Sequence, residues 1–163
     1  KGHHLIIEAL SKVREKHNAE LWIVGEGYYK KNLEMLAERL GLSKHVKFLG
    51  SKSKKELAEI YNMASVFVLA NYQEITPSVN EALACKIPVV VMECGGRKFV
   101  IPNESYGLVA KKFDTDDIAD KIIKLIENKR LAQKIAKNGR AYVLKNFSLE
   151  MVAEQFYRSF IKE

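Results

Sequence analysis

The sequence predicts an α/β fold: a doubly wound parallel sheet with helices on both faces. Three observations carry this. Short apolar runs alternate along the chain with stretches of helical periodicity. The runs are continuously apolar, without the in-and-out alternation of a sheet that has one face in water. At 163 residues, the chain has the length of one domain whose core needs neither disulfide nor metal.

The elements follow in order. Leu5, Ile6, Ala9, Leu10 and Val13 repeat at helical spacing and predict an amphipathic first helix. Leu21 to Val24 reads as a buried strand closed by the turn Gly25-Glu26-Gly27. Leu33, Leu36, Ala37 and Leu40 form the next helix, with Gly41 as its stop. Val46 to Leu49 is a strand ending at Gly50, and Ser53-Lys54-Lys55-Glu56 is a capping box opening a helix through Tyr61. Val66 to Ala70 is a strand. Thr76-Pro77 reads as an N-cap and first helical residue, with the helix running through Ala84. Pro88 to Met92 and Gly107 to Ala110 are strands. Asp114 caps a helix through Ile126, and the rest is helical to Ile161 with a break near Asn146-Phe147-Ser148.

Composition narrows the class. With 47% hydrophobic and 29% charged residues, the chain is globular and not disordered. No apolar run approaches the ~20 residues that span a bilayer; the longest, Ile87 to Met92, has strand length. No signal-peptide pattern is present, and the direct opening of Lys1-Gly2 into a helix reads as a piece of a longer protein. Cys85 and Cys94 have no metal spacing and read as reduced thiols of a cytoplasmic protein. His3 and His4 are neighbours on a helix, so they point apart and cannot share a metal. The net charge of +7 fits a lysine-rich solvated surface, or an anionic partner such as phosphate or a peripherally contacted acidic membrane. The lysines are dispersed, and no basic-aromatic interleaving marks a nucleic-acid surface.

Parallel sheets bind ligands at the carboxyl ends of their strands, so the strand-to-helix loops are the functional candidates. Gly25 and Gly27 could bring a backbone close to a phosphate, but Lys30 stands where a dinucleotide fingerprint has its third glycine and no acidic residue ends the next strand, so this loop alone reads as a tight turn. The loop from Asn71 to Ser78 holds Glu74 and ends at a helix start whose backbone N–H groups and positive dipole end suit a diphosphate. Glu81 lies in the first turns, and a carboxylate there can accept hydrogen bonds from sugar hydroxyls. Ser78-Val79-Asn80-Glu81 also has capping-box spacing, which would make Glu81 structural. Gly95-Gly96-Arg97-Lys98 reads either as a phosphate- or sugar-approaching loop with two cations or as a flexible turn.

Taken together, these motifs resemble the C-terminal domain of retaining glycosyltransferases of family 4, whose two Rossmann-like domains face a cleft (the GT-B type). The resemblance runs through Lys1-Gly2 and Leu5 to Leu10, Leu21 to Gly27, Val46 to Gly50, Glu56-Leu57, Tyr61, Val66 to Ala70, Gly107 to Val109 and Phe147-Ser148. Its most specific stretch is Glu81-Ala82-Leu83-Ala84-Cys85-Lys86-Ile87-Pro88-Val89-Val90. It implies that Glu81 holds the ribose hydroxyls of a nucleoside-diphosphate sugar. The amides near Pro77, Ser78 and Val79, with Thr76 at the helix start, would hold the diphosphate. Lys1 would be one of a basic pair on that diphosphate, with its arginine partner and the domain's first strand upstream. The segment around Leu49, Gly50 and Ser51 would face the base, and Gly25 and Gly27 of the family's glycine turn would belong to the donor site. The resemblance implies neither metal nor cofactor, and it puts the acceptor site on an N-terminal domain outside this sequence. The fragment alone is therefore expected to bind donor weakly and to transfer nothing.

The sequence departs from the family pattern in three places. Seven residues usually separate the two glutamates of the acidic motif; six separate Glu74 from Glu81, and Gln73 stands at the usual spacing. A glycine-rich stretch is replaced by Ile75-Thr76-Pro77, and Phe99 stands where a glutamate often follows the glycine pair. An epimerase of the same architecture would show a histidine and carboxylate arrangement that is not visible here. The rival from another class is a non-catalytic doubly wound module that binds a nucleotide, a polyanion or a protein partner.

Overall fold

The computed structural model describes residues 2–160 of the chain. Its elements alternate as expected: α1 (His3–Lys16), β1 (Leu21–Val24), α2 (Lys30–Arg39), β2 (Val46–Gly50), α3 (Lys54–Met63), β3 (Phe67–Leu69), α4 (Pro77–Ala84), β4 (Val89–Met92), α5 (Arg97–Val100), β5 (Leu108–Ala110), α6 (Thr115–Glu127), α7 (Lys129–Asn146) and α8 (Leu149–Phe160). Every strand pairing is parallel.

The expected single sheet is found as two, one of order β1-β2 and one of order β3-β4-β5. Side chains of α1 span the two. Ile7 and Leu10 pack with Ile23 and Val46, while Leu5, Ile6 and Ala9 pack with Ala70 and Val90. Burial on both faces holds fully only for β4, where all four residues are buried; β3 is half-buried throughout. On the other face, Val79, Ala82 and Leu83 of α4 join Val89, Val91 and Tyr61 in a separate cluster. Among the described residues no helix is long and apolar enough to cross a membrane.

Local chemistry sets the boundaries. Ser53 and Glu56 form the reciprocal capping box at α3, and Asp114 accepts from the Asp117 N–H at α6. Past the expected end at Ile126, Asn128 accepts from the Leu131 N–H as the cap that separates α6 from α7. The glycine pair at residues 95–96 is not merely a turn, since the one-turn helix α5 follows it.

Gly41 ends α2 with paired bonds, its N–H to Glu38 at 2.9 Å and that of Leu42 to Ala37 at 2.7 Å. The same motif ends α4, where the N–H groups of Lys86 and Ile87 reach the carbonyls of Leu83 and Ala82. There Lys86 takes the left-handed position, with φ 61°. A side chain in that region costs ~1 kcal/mol or more, which glycine avoids. Lys86→Gly is therefore expected to raise unfolding stability by about 1 kcal/mol in a urea titration. An unchanged or lower midpoint would show that the lysine side chain offsets the strain.

Candidate functional site

The loops at the carboxyl ends of the strands are fastened to one another. After β1 and β2, the Gly25 N–H donates to the Gly50 carbonyl at 2.8 Å, so the two glycines serve as a joined turn. After β3, Asn71 is buried, and its Oδ1 accepts from the Gln73 N–H at 3.4 Å. Further along, Glu74 forms a parallel backbone bridge with Gly95, which joins the loops after β3 and β4. The approach is close: a Cβ on Gly95 would lie 3.0 Å from the Gln73 carbonyl oxygen. Tyr72 packs its ring against Phe113 at 5.6 Å, which ties in the loop after β5. Three loops thus form one ledge, with Gln73 and Glu74 exposed on it.

At the Gly95-Gly96 loop only one of the two expected cations remains available. Arg97 is held by Glu93 through Nη2 at 2.8 Å and Nε at 3.3 Å, and its Nη1 donates to the Ile101 carbonyl at 2.9 Å. Lys98 and the ring of Phe99 are exposed.

Helix α4 removes the capping-box reading of Glu81. Pro77 is its first residue and Thr76 its N-cap, so Ser78 lies inside the helix and cannot be the cap of a box with Glu81. No side chain caps the start; the hydroxyls of Thr76 and Ser78 bond each other at 2.7 Å. The amide supply is narrower than the sequence implies. Pro77 has no N–H, and the Val79 N–H donates to the Thr76 carbonyl at 3.1 Å. The Ser78 N–H has no acceptor among the described residues.

Ser78 and Glu81, three residues apart, share the face of α4 that meets α3. There the Tyr61 hydroxyl donates to Glu81 Oε2 at 3.0 Å and approaches the Ser78 carbonyl at 3.4 Å. Glu81 is exposed, whereas the Tyr61 ring is buried in the α4 cluster beside Phe67, 6.0 Å between centroids. Burial, and then the Glu81 carboxylate, push the Tyr61 hydroxyl well above its ordinary value, so it stays a protonated donor. Tyr61 was legible as an element of the third helix; its partner, twenty residues away, was not.

Lys1 lies outside the described residues. Gly2 packs onto Ala70, the residue before the acidic loop. Among the described residues no group of three or more His, Cys, Asp or Glu side chains is gathered as a metal ion would need. Burial raises both thiols, Cys85 and Cys94, above their ordinary range. Neither is therefore activated as a nucleophile.

Parallel strands with helices between them, and a ledge of joined loops at their carboxyl ends, define a domain of the α/β class. The chain belongs to the glycosyl transferases group 1 family, whose profile matches residues 1–142. It is 31% identical over 156 residues to an uncharacterized glycosyltransferase of Methanocaldococcus jannaschii, covering 95% of this chain and 40% of that protein. It superimposes on the solved C-terminal domain of a glycosyl transferase group 1 protein of Francisella tularensis with a TM-score of 0.81. There the identity is 28%, with 91% of this chain and 80% of that one covered. The fold is also that of HepE of Anabaena, solved with UDP and glucose: TM-score 0.90, identity 23%, coverage 98% of this chain and 44% of that one. The architecture is thus that of a GT-B C-terminal domain, and the chain spans about two fifths of the length of the curated relatives it matches.

Proposed function

We propose that residues 1–163 form the donor-binding part of a retaining glycosyltransferase. The full protein would move a hexose-type sugar from a nucleoside diphosphate to a hydroxyl acceptor of a glycan, lipid or polysaccharide. The observation that carries the reading is Glu81: an exposed carboxylate in the first turns of an uncapped helix, not used as a cap. Glu81 takes the ribose hydroxyls. The Ser78 amide, the positive end of α4 and Lys1 take the diphosphate, whose charge grows as the sugar leaves. Leu49 and Gly50 face the base, and Glu74 contacts the sugar. The acceptor is held by the remainder of the protein, so these residues alone bind donor without transferring it. Membership of the family and the complex of HepE with UDP and glucose support this reading.

Calorimetric titration of the full-length protein with uridine, guanosine and adenosine diphosphates tests it. Saturable binding of one base is expected. Binding only to DNA or anionic vesicles, lost steeply with salt, would favour the non-catalytic module. Glu81→Ala is expected to weaken nucleoside diphosphate binding tenfold or more, since hydrogen bonds to a charged group contribute about 1.5–3 kcal/mol. Its cost in stability should be that of one hydrogen bond, about 0.5–1.5 kcal/mol, because the Tyr61 hydroxyl loses its acceptor but no capping box is lost. A melt that drops while affinity holds would remove Glu81 from the site.

A further inference from the structure

We infer that Tyr61 is a positioning residue for nucleotide recognition: its hydroxyl fixes one oxygen of Glu81 so that the other is presented to the ribose. The inference rests on the reading of Glu81 as the ribose contact and goes beyond it by adding a residue from a different helix.

The argument is geometric. A glutamate on an exposed helix face samples several rotamers, and a ligand that needs one of them must offset the entropy of the rest. At Glu81 that freedom is already restricted. Oε2 accepts from Tyr61 at 3.0 Å, while Oε1 has no hydrogen bond among the described residues. The donor is itself immobile. The Tyr61 ring is 7% exposed, packed with Val79, Ala82 and Leu83 of the helix that carries Glu81, and tilted against Phe67 of β3. The hydroxyl also approaches the carbonyl of Ser78, which lies one turn before Glu81 on α4. A rigid ring with its polar tip on a solvent-facing carboxylate is a support, and it leaves one oxygen of that carboxylate facing outward. The raised pKa of Tyr61 keeps the hydroxyl protonated, so the support persists across the neutral range. The bond also joins α3 to α4, so the pose of the carboxylate depends on two helices.

The test uses the full-length protein and a pair of probes: a nucleoside diphosphate that it binds and the same compound with a 2′-deoxyribose. Tyr61→Phe keeps the buried ring and removes only the hydroxyl. It is expected to weaken the ribose compound about fivefold, as loss of one hydrogen bond implies, and to change the deoxy compound less than twofold. A purely structural role for Tyr61 would weaken both alike. Combined with Glu81→Ala, Tyr61→Phe is expected to cause no further loss. Additive losses in the double variant, or equal losses for the two probes, overturn the inference. If Glu81→Ala itself leaves the ribose preference intact, the assignment of Glu81 fails. If Glu81→Ala abolishes the preference and Tyr61→Phe leaves it unchanged, the positioning role alone fails.

Discussion

In the full-length protein Glu74→Gln is expected to cut turnover about 100-fold, the scale of removing one group aimed at developing charge, while Gln73→Ala lowers it less than about fivefold. Gln73 sits in a bend and Glu74 at the bridge that follows it, so the two side chains hold different positions on the ledge. The loop cannot easily rotate to exchange them. The Glu74 backbone is bridged to Gly95, the Gln73 N–H is bonded to Asn71, and the Gln73 carbonyl lies against Gly95. Between the two, the carboxylate is the stronger partner, accepting charge-assisted bonds from sugar hydroxyls where an amide accepts weaker ones. A loop one residue shorter than the family pattern displaces the chain by up to ~3.5 Å, which a loop can absorb. Steady-state kinetics on both variants with the true donor decides the matter. If Gln73→Ala is the crippling change, the register proposed for the loop is wrong; if neither matters, the non-catalytic reading gains.

The elements were legible where local chemistry and periodicity agree. The helix at Ser53 was readable because both halves of its capping box lie within four residues. The strand at Val89 was readable because a strand buried on both faces is apolar at every position. Glu81 was ambiguous from spacing alone, since Ser78-x-x-Glu81 satisfies the capping pattern. Pro77 held the resolving signal: a proline at the first helical position moves the cap to Thr76 and puts Ser78 inside the helix.

What stayed hidden depends on contacts far apart in the chain. Glu93 and Arg97 are four residues apart, yet that they pair follows only once α5 forms between loop and core. The bond from Tyr61 to Glu81 needs α3 and α4 to pack at a particular rotation, which neither helix specifies alone. The division of the sheet was hidden too: apolar runs mark strands but not which strands pair, and the described residues hold β1-β2 and β3-β4-β5 as separate sheets, with α1 packed across both.

Gly2→Ala is expected to lower stability by about 3 kcal/mol and to weaken nucleoside diphosphate binding with it. Gly2 is the N-cap of α1, with φ 70°, and its carbonyl accepts from the Leu5 N–H at 3.1 Å. A Cβ there would stand 2.1 Å from the Ala70 carbonyl oxygen and 2.8 Å from its carbon, both backbone atoms that no rotamer change can move aside. Two costs combine: about 1–2 kcal/mol for a side chain in the left-handed region, and about 1–3 kcal/mol for the displacement needed to relieve the overlap. Either α1 lifts from the end of β3 or Ala70 shifts. Ala70 leads directly into buried Asn71, which holds the Gln73 N–H, so a shift reaches the acidic loop. A lifted α1 would instead loosen Leu5, Ile6 and Ala9 from Ala70 and Val90. Gly27→Ala is the matched control, with a φ that is not left-handed and nothing within 4 Å of the added methyl. Its stability should change by less than about 0.5 kcal/mol, as for other surface positions. Urea titrations of the two variants provide the comparison. Equal midpoints for Gly2→Ala and the parent would mean that the start of α1 does not press on β3 as described, and the link from this helix to the donor loop would be lost.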